Sequence, residues 1–493
     1  MSRKEEYMEE TKETIEESRE SVVEKEITKA TFVTRMKSEL TSFLQAVFQS
    51  SEPIYLILLT LYVAIFFVLK IAWVEGPVAD AVEKVRYLML SVVMWGSALY
   101  LFFIIAAWKN LWKKNLPLII TGAVLIVSTG YFATKMSTNA YGVVFDIVFV
   151  ILACGKSFRK MLHCILGVQV VGLIVAGIGI PLGFTADLAK PNFIISTHSL
   201  GINYPNTWSY LCFLAFILLW YLYLRFRPIP TIILFWAGAA FNYYYIGCRT
   251  IAGIMIVFPI ASIIVDLIEK RIEKQVADGK FRDIKPLTWL VTVIPFLAFA
   301  LMMILSVNVE WMYQFYHGPL RNLAWRFLQG GLYFKHWGMP IFGNPYRSNV
   351  YIYENVCDEF IQVGILDSSF AAYIIMRGLF WLGYTLLWLC FAHWKALKKR
   401  DYAIIFLETI LLGFAMMERP GLEMWYNFVL LYPLATVISK PGTELKFEKT
   451  VYEGVSDTPQ ESGEALPATE KIDEVENTET QIDSGENKDK QDA

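Results

Sequence analysis

The stretch IPTIILFWAGAAFNYYYIGCRTIAGIMIVFPIASIIVDLI, residues 229–268, decides the class of this chain. It holds two apolar runs, 229–246 and 250–268, each close to the ~20 residues an α-helix needs to cross a bilayer. Only the turn around Gly247–Thr250 separates them, so the two helices lie antiparallel. A helix satisfies its own backbone hydrogen bonds, which is what hydrocarbon demands of any chain inside it. The turn carries one guanidinium, Arg249, with almost no loop to float it into water.

The rest of the chain repeats this pattern. Of its 493 residues 55% are apolar, with 15 Trp, a composition that excludes an ordinary soluble enzyme and fits a polytopic membrane protein. Twelve candidate spans fall near 54–74, 86–107, 116–133, 139–153, 161–184, 207–224, 229–246, 250–268, 287–307, 369–392, 403–418 and 422–439. The expected fold is therefore an all-α polytopic membrane protein with about twelve transmembrane helices. Trp208, Trp220, Trp236 and Trp289 are expected to anchor them as bilayer-exposed aromatics. The formal charge of −2 averages two acidic ends with a basic middle. Residues 1–50 form an acidic N-terminal region, 51–440 the membrane domain, and 441–493 an acidic tail that reads as disordered. The first apolar run starts near Pro53 behind a long acidic leader, which is no signal peptide. The six Cys show no C-x-x-C pairing and read as small packing residues.

Charge sorts the loops. Those at 108–115, 155–163, 224–228, 269–286 and 393–401 are Lys/Arg-rich and alternate strictly with the span count, so the positive-inside rule places both termini in the cytoplasm. The opposite set is expected to face outward: 75–85, the turn after the third span, 185–206, the turn around Gly247–Thr250, the long loop 308–368 and the turn around Glu418–Glu423. A loop as long as 308–368 is expected to be an ordered, partly helical cap. There is no internal repeat of the kind that marks an inverted-repeat transporter.

Against that rule, outward cations stand out. Arg249, Arg321, Arg326 and Arg347 lie on the outer side, Arg377 falls inside the tenth span, and Glu418 and Arg419 end the eleventh. Ionisable groups at membrane depth are costly and usually mark a pathway or a site. A plainer reading stands beside each. Arg249 reads also as a side chain snorkelling to headgroups. Arg377 with Glu418 reads as a structural ion pair. Arg321, Arg326, Asp358 and Glu359 read as surface charges, His198 as a loop hydrogen-bonder, and Asp367 and Asn206 as helix caps. Taken as a set, several guanidiniums on one membrane face suit a phosphate-bearing lipid, because each offers a fixed fork of donors.

Five stretches together resemble the Wzy-type polysaccharide polymerases of Gram-positive bacteria, within the O-antigen polymerase and ligase superfamily. HSLGINYPNTWSYL (198–211) resembles that family's S-L-G-F-x-H-P-N loop, and GCRTIAG (247–253) its G-S-R-T turn. WRFLQGGLYFKHWGMPIFGN (325–344) is similar to its G-R-L…Y-G…F-G stretch. LDSSFAAYIIMRGLFWLGY (366–384) resembles its D-N-S-Y-L…R-x-G helix start, and ERPGLEMWYNFVLL (418–431) its late Glu before Asn-Phe. The chain departs from the pattern at Cys248, where Ser is usual, at Asn203, where His is common, and at Ser368, where Asn stands.

The resemblance implies transfer of a growing glycan from undecaprenyl diphosphate onto the next lipid-linked oligosaccharide, at the outer face of the plasma membrane. It implies no cofactor and no metal, no nucleic-acid partner, and association with membrane lipid, a flippase and a chain-length regulator. Arg249, then Arg326 and Arg321, are expected to hold the diphosphate. Asp367 stands where related ligases carry a His and is expected to bind or deprotonate the acceptor, with His198 and Glu418 as lesser candidates. Asn203, Asn206, Thr250 and Arg377 are expected to shape the site, with Gly201 and Pro205 bending the loop. The rival expectations are an O-antigen-type ligase, a lipid-linked oligosaccharide flippase and a structural scaffold.

Overall fold

A computed structural model describes residues 51–107, 141–187, 190–191, 196–280, 285–318, 321–341, 352–357, 359–363, 368–418 and 421–437. The acidic segments 1–50 and 441–493, the expected span 116–133, the basic loop 108–115, Arg347, Asp358, Asp367 and Arg419 lie outside the described residues. The described chain is mostly helical: α1 Ser51–Val68, α2 Pro77–Ala107, α3 Tyr141–Leu152, α4 Phe158–Gly179, α5 Pro205–Leu219, α6 Pro228–Phe241 and α7 Arg249–Ala277. There follow α8 Lys285–Thr292, α9 Ile294–Val307, α10 Val309–Tyr316, α11 Arg321–Trp337, α12 Ser369–Arg377, α13 Leu379–Lys399 and α14 Tyr402–Met417. Two antiparallel hairpins depart from an all-helical expectation: β1 Lys190–Pro191 with β2 Ser196–Thr197, and β3 Ile352–Val356 with β4 Glu359–Val363.

Among the described residues, four helical stretches are long and apolar enough to cross a membrane: Phe158–Gly179, Pro205–Leu224, Pro228–Ile246 and Arg249–Ala277. The expected span 287–307 is broken. Its halves α8 and α9 meet at a 59° bend and make a fifth crossing if taken together. Pro295, in the first turn of α9, has no N–H with which to continue the ladder of α8. The expected span 369–392 is also two helices, parted at Gly378, whose N–H closes α12 onto Ile374 O and Tyr373 O. α5 and α6 each end in a π turn, Trp220–Leu224 and Asn242–Ile246.

Contacts between turns sort the helix ends into two groups. At one, here called the Asp401 end, Arg225 reaches Asp401 at 3.9 Å, Ser157 N–H donates to Glu52 at 2.9 Å, and Lys399 donates to Val437 O at 2.9 Å. The cationic turns 155–160, 225–227 and 398–400 belong to this group. At the other, the Arg249 end, Ile71 pairs with Ile202, Trp73 pairs with Thr185, and Ser369 N–H donates to Glu418 O at 3.1 Å. Between them runs an aromatic core. Phe235 stacks on Phe258 at 4.3 Å, and Trp220 meets Phe258 edge-on at 5.3 Å. Trp220 is therefore a core residue, 1% exposed, and not the bilayer anchor it was expected to be. Trp236 and Trp289 are exposed.

The largest correction concerns 422–439, expected as a regular last span. Residues 421–437 cross the bundle as an irregular, buried strand of chain with only a short 3-10 turn, Phe428–Leu431. Irregular backbone survives at such depth only where protein supplies its partners. Here it does. Lys395 Nζ donates to Tyr432 O at 3.2 Å and to Pro433 O and Ala435 O at 2.7 Å, and Trp388 Nε1 donates to Leu430 O at 2.8 Å. Thr436 bridges to the turn before α4, where its N–H donates to Lys156 O at 2.7 Å and its O accepts from Phe158 N–H at 3.0 Å.

The loop 308–368 contains α10, α11 and the β3–β4 hairpin, in keeping with an ordered, partly helical segment. α11 packs on α9. It does so through Gly331, where a Cβ would stand 2.0 Å from Ser306 O, the close backbone approach that small residues allow between membrane helices.

Candidate functional site

The Arg249 end gathers most of the candidates. α6 closes with Asn242 O accepting from the N–H groups of Gly247 and Cys248, and α7 begins at Arg249. Cys248, a weak sulfur acceptor, stands at the N-cap where an oxygen is usual. Arg249 is exposed, Thr250 is half-buried beside it, and Arg249 makes no hydrogen bond or ion pair among the described residues. The result is a fixed positive charge at the positive end of a 29-residue helix, an arrangement that favours an anion.

Buried Cys248 lies within electrostatic range of both Arg326 and Glu418, which ties this turn to α11 and to the end of α14. Arg326 Nη1 donates to the carbonyl of Met417 and forms an ion pair with Glu418 Oε1 at 2.6 Å. Both side chains of the pair are largely buried, at 14% and 13% exposure. Arg326 is therefore no loose surface charge, and Glu418 pairs with it and not with Arg377. Glu418 is pinned from behind, since Ser369 Oγ donates to its carbonyl at 2.5 Å while accepting Gly421 N–H at 2.6 Å. Ser368, whose Oγ accepts Ala371 N–H at 3.4 Å, fills the capping role that the sequence offered to Asp367. Arg321 stands apart. It is exposed and lies over Tyr316, to whose hydroxyl it donates at 3.1 Å.

The loop before α5 holds a defined shape. Gly201 has φ +79°, and a Cβ there would stand 2.2 Å from Ala176 O, so glycine is required. Asn203 does not point at a shared cavity: its Nδ2 donates to Leu69 O at 3.1 Å and ties the loop to the end of α1. Asn206 does not cap α5. The helix starts at Pro205 with Tyr204 as its N-cap, leaving Asn206 exposed in the first turn. His198 has a partner the sequence did not reveal, for its Nδ1 lies 2.6 Å from Asp187 Oδ2. Asp187 Oδ1 accepts Ser199 N–H at 2.7 Å and Leu200 N–H at 3.1 Å. Burial alone would raise this carboxyl, but the His198 hydrogen bond and the two backbone donors outweigh it and hold it below the usual 3.8. The imidazole stacks on Tyr245 at 4.5 Å and 14°. Tyr245 sits in the π turn four residues before Arg249, which brings the two loops together.

Deeper between the helices lies a second charged group. Arg377 covers the Tyr373 ring at 4.3 Å and reaches Glu423 at 3.5 Å, while Asp146 accepts the Tyr62 hydroxyl at 2.6 Å within electrostatic range of Arg377. Asp146 also lines a cavity of about 40 Å³ between α3, α12, α13 and the 421–431 segment, room for one or two waters. Among the described residues no group of three His, Cys, Asp or Glu side chains comes together as a metal site.

Asp146 was legible as a lone acid in VVFDIVFV (143–150), and Glu423 as an acid inside an apolar run. Asp187, eleven residues before His198 in an ordinary-looking loop, carried no such signal. No protein-family model matches the chain, and no curated protein or solved structure does either.

Proposed function

We propose that this chain polymerises undecaprenyl-diphosphate-linked oligosaccharide units at the outer face of the plasma membrane, with about twelve spans and both termini in the cytoplasm. The observation that carries the reading is Arg249: an exposed guanidinium, unpaired among the described residues, at the start of α7 and beside the buried Arg326–Glu418 pair. Breaking a sugar–diphosphate bond puts negative charge on the leaving group, and pre-oriented cationic donors stabilise it most where water is scarce. The clustering of the cationic turns at the Asp401 end supports Arg249 facing outward. The five motif resemblances supply the sugar chemistry. Undecaprenyl diphosphate carrying one repeat unit is the substrate to test. Purified protein in vesicles should convert synthetic units into ladders with no nucleotide sugar present; absence of ladders overturns the reading.

A flippase is the second reading, favoured by the charged group Asp146, Arg377 and Glu423 lying between helices rather than at a rim. Cells lacking the protein separate the two. A lost polymerase leaves single units outside the membrane, and a lost flippase traps them inside.

A further inference from the structure

We infer that Asp187 and His198 form a base dyad beside Arg249, in which His198 takes the proton of the attacking sugar hydroxyl and Asp187 orients the imidazole. This rests on the glycosyl-transfer reading above and names the group that activates its acceptor.

The geometry fixes the chemistry of the pair. An ionised carboxylate only accepts hydrogen bonds, so His198 Nδ1, 2.6 Å from Asp187 Oδ2, carries the proton between them. The basic lone pair then belongs to Nε2. Asp187 is held by three further contacts, from Ser199 N–H, Leu200 N–H and, at 3.5 Å, Ser199 Oγ. The ring plane is set by the stack on Tyr245. A base positioned through one nitrogen by an anchored carboxylate and through its face by an aromatic ring is pre-organised for proton transfer.

Among the described residues, two acids of this end hold arginines. Glu418 holds Arg326 and Glu423 reaches Arg377. His336 also faces a carboxylate, Glu354, but at 3.3 Å, at 43% exposure, and in competition with Lys335 for the same side chain. His198 is 27% exposed, accessible yet sheltered, and its neighbour Tyr245 leads directly into the Arg249 turn.

The step balances without a further reactant. The acceptor oxygen bonds to the anomeric carbon of the donor chain while its proton passes to His198 Nε2. The bond from that carbon to the diphosphate oxygen breaks, and its electron pair leaves on the lipid diphosphate. The imidazolium afterwards gives its proton to water.

The plain alternative is that Asp187 is only a loop staple. Full-length protein in vesicles, given synthetic lipid-diphosphate units, distinguishes the two. His198→Ala should lower kcat about a hundredfold or more, the usual weight of a general base, with lipid-diphosphate binding retained and partial recovery when imidazole is added. Asp187→Asn should lower kcat at least about tenfold at nearly unchanged KM, and Asp187→Glu should regain part of it. Wild-type rates in His198→Ala overturn the inference, as does a lipid-binding His198→Ala protein that imidazole does not revive. Loss of lipid binding in Asp187→Asn without rescue by Glu assigns the staple role and also overturns it. A wild-type protein that makes no ladders sinks the glycosyl-transfer reading itself, and the dyad with it.

Discussion

Arg249 and Arg326 are both arginines near one end of the bundle, yet their surroundings predict opposite failures. Arg326 neutralises buried Glu418, so Arg326→Ala leaves an uncompensated carboxylate and should cost about 3–5 kcal/mol of stability. Arg249 is exposed and unpaired among the described residues, so Arg249→Lys should leave the melting temperature in detergent unchanged. If the chain is the polymerase proposed above, polymer output should still fall about a hundredfold, because lysine loses the fork. Protein abundance beside polymer yield checks both. Asp187 adds a pH dependence. Its carboxyl is held below 3.8 in the folded chain, so the folded state binds fewer protons than the unfolded one. The stabilisation is present above about pH 4 and is lost as pH falls through the folded value. Thermal unfolding followed from about pH 5 to pH 3 should therefore show a shallower acid decline in Asp187→Asn than in the parent. At this scale the sequence singled out Arg249 and His198 because their types are conspicuous in polar turns between apolar runs. It missed Asp187, and it mispaired Glu418 with Arg377, because pairing across distant segments is a property of the fold.

Among elements, hydropathy found the long helices and failed where backbone geometry, not apolarity, was in question. Residues 421–437 are apolar enough to read as a span, but Gly421 and Pro433 interrupt them and the chain runs irregularly. The same blindness hid the 59° bend between α8 and α9 and the break at Gly378. Lys395 shows what replaces a helical ladder, since one ammonium spends its three N–H donors on three carbonyls of this segment. Lys395→Met keeps most of the packing and removes the donors. It should cost about 3 kcal/mol or more, because each buried carbonyl left unpaired costs roughly 1–3 kcal/mol. Unfolding in mixed micelles measures it, with Lys395→Arg expected to retain more stability than Met.

Across the whole molecule, three of the basic turns read from the sequence, 155–160, 225–227 and 398–400, gather at the Asp401 end, while the basic loop 108–115 lies outside the described residues. What charge counting left out is that Arg225 there is no free cation. It meets Glu269, Asp401 at 3.9 Å and Asp266 at 3.7 Å, while Tyr221 donates to Asp401 at 2.9 Å. This one guanidinium ties the π turn after α5 to α7 and to the start of α14. Arg225→Ala should lower the melting temperature severely, by about 3–5 kcal/mol of stability, because three acids lose their cation. Arg225→Met combined with Glu269→Gln should recover part of that loss.

The buried segment 421–437 also constrains how the protein is made. A chain whose internal backbone hydrogen bonds are only partial, with carbonyls satisfied by other segments, partitions poorly into lipid by itself. It must wait for α13 to present Lys395 and Trp388, and for the α3–α4 turn to present Lys156. Biogenesis thus includes a docking event beside insertion, and the bundle is a receptor for a segment of its own chain.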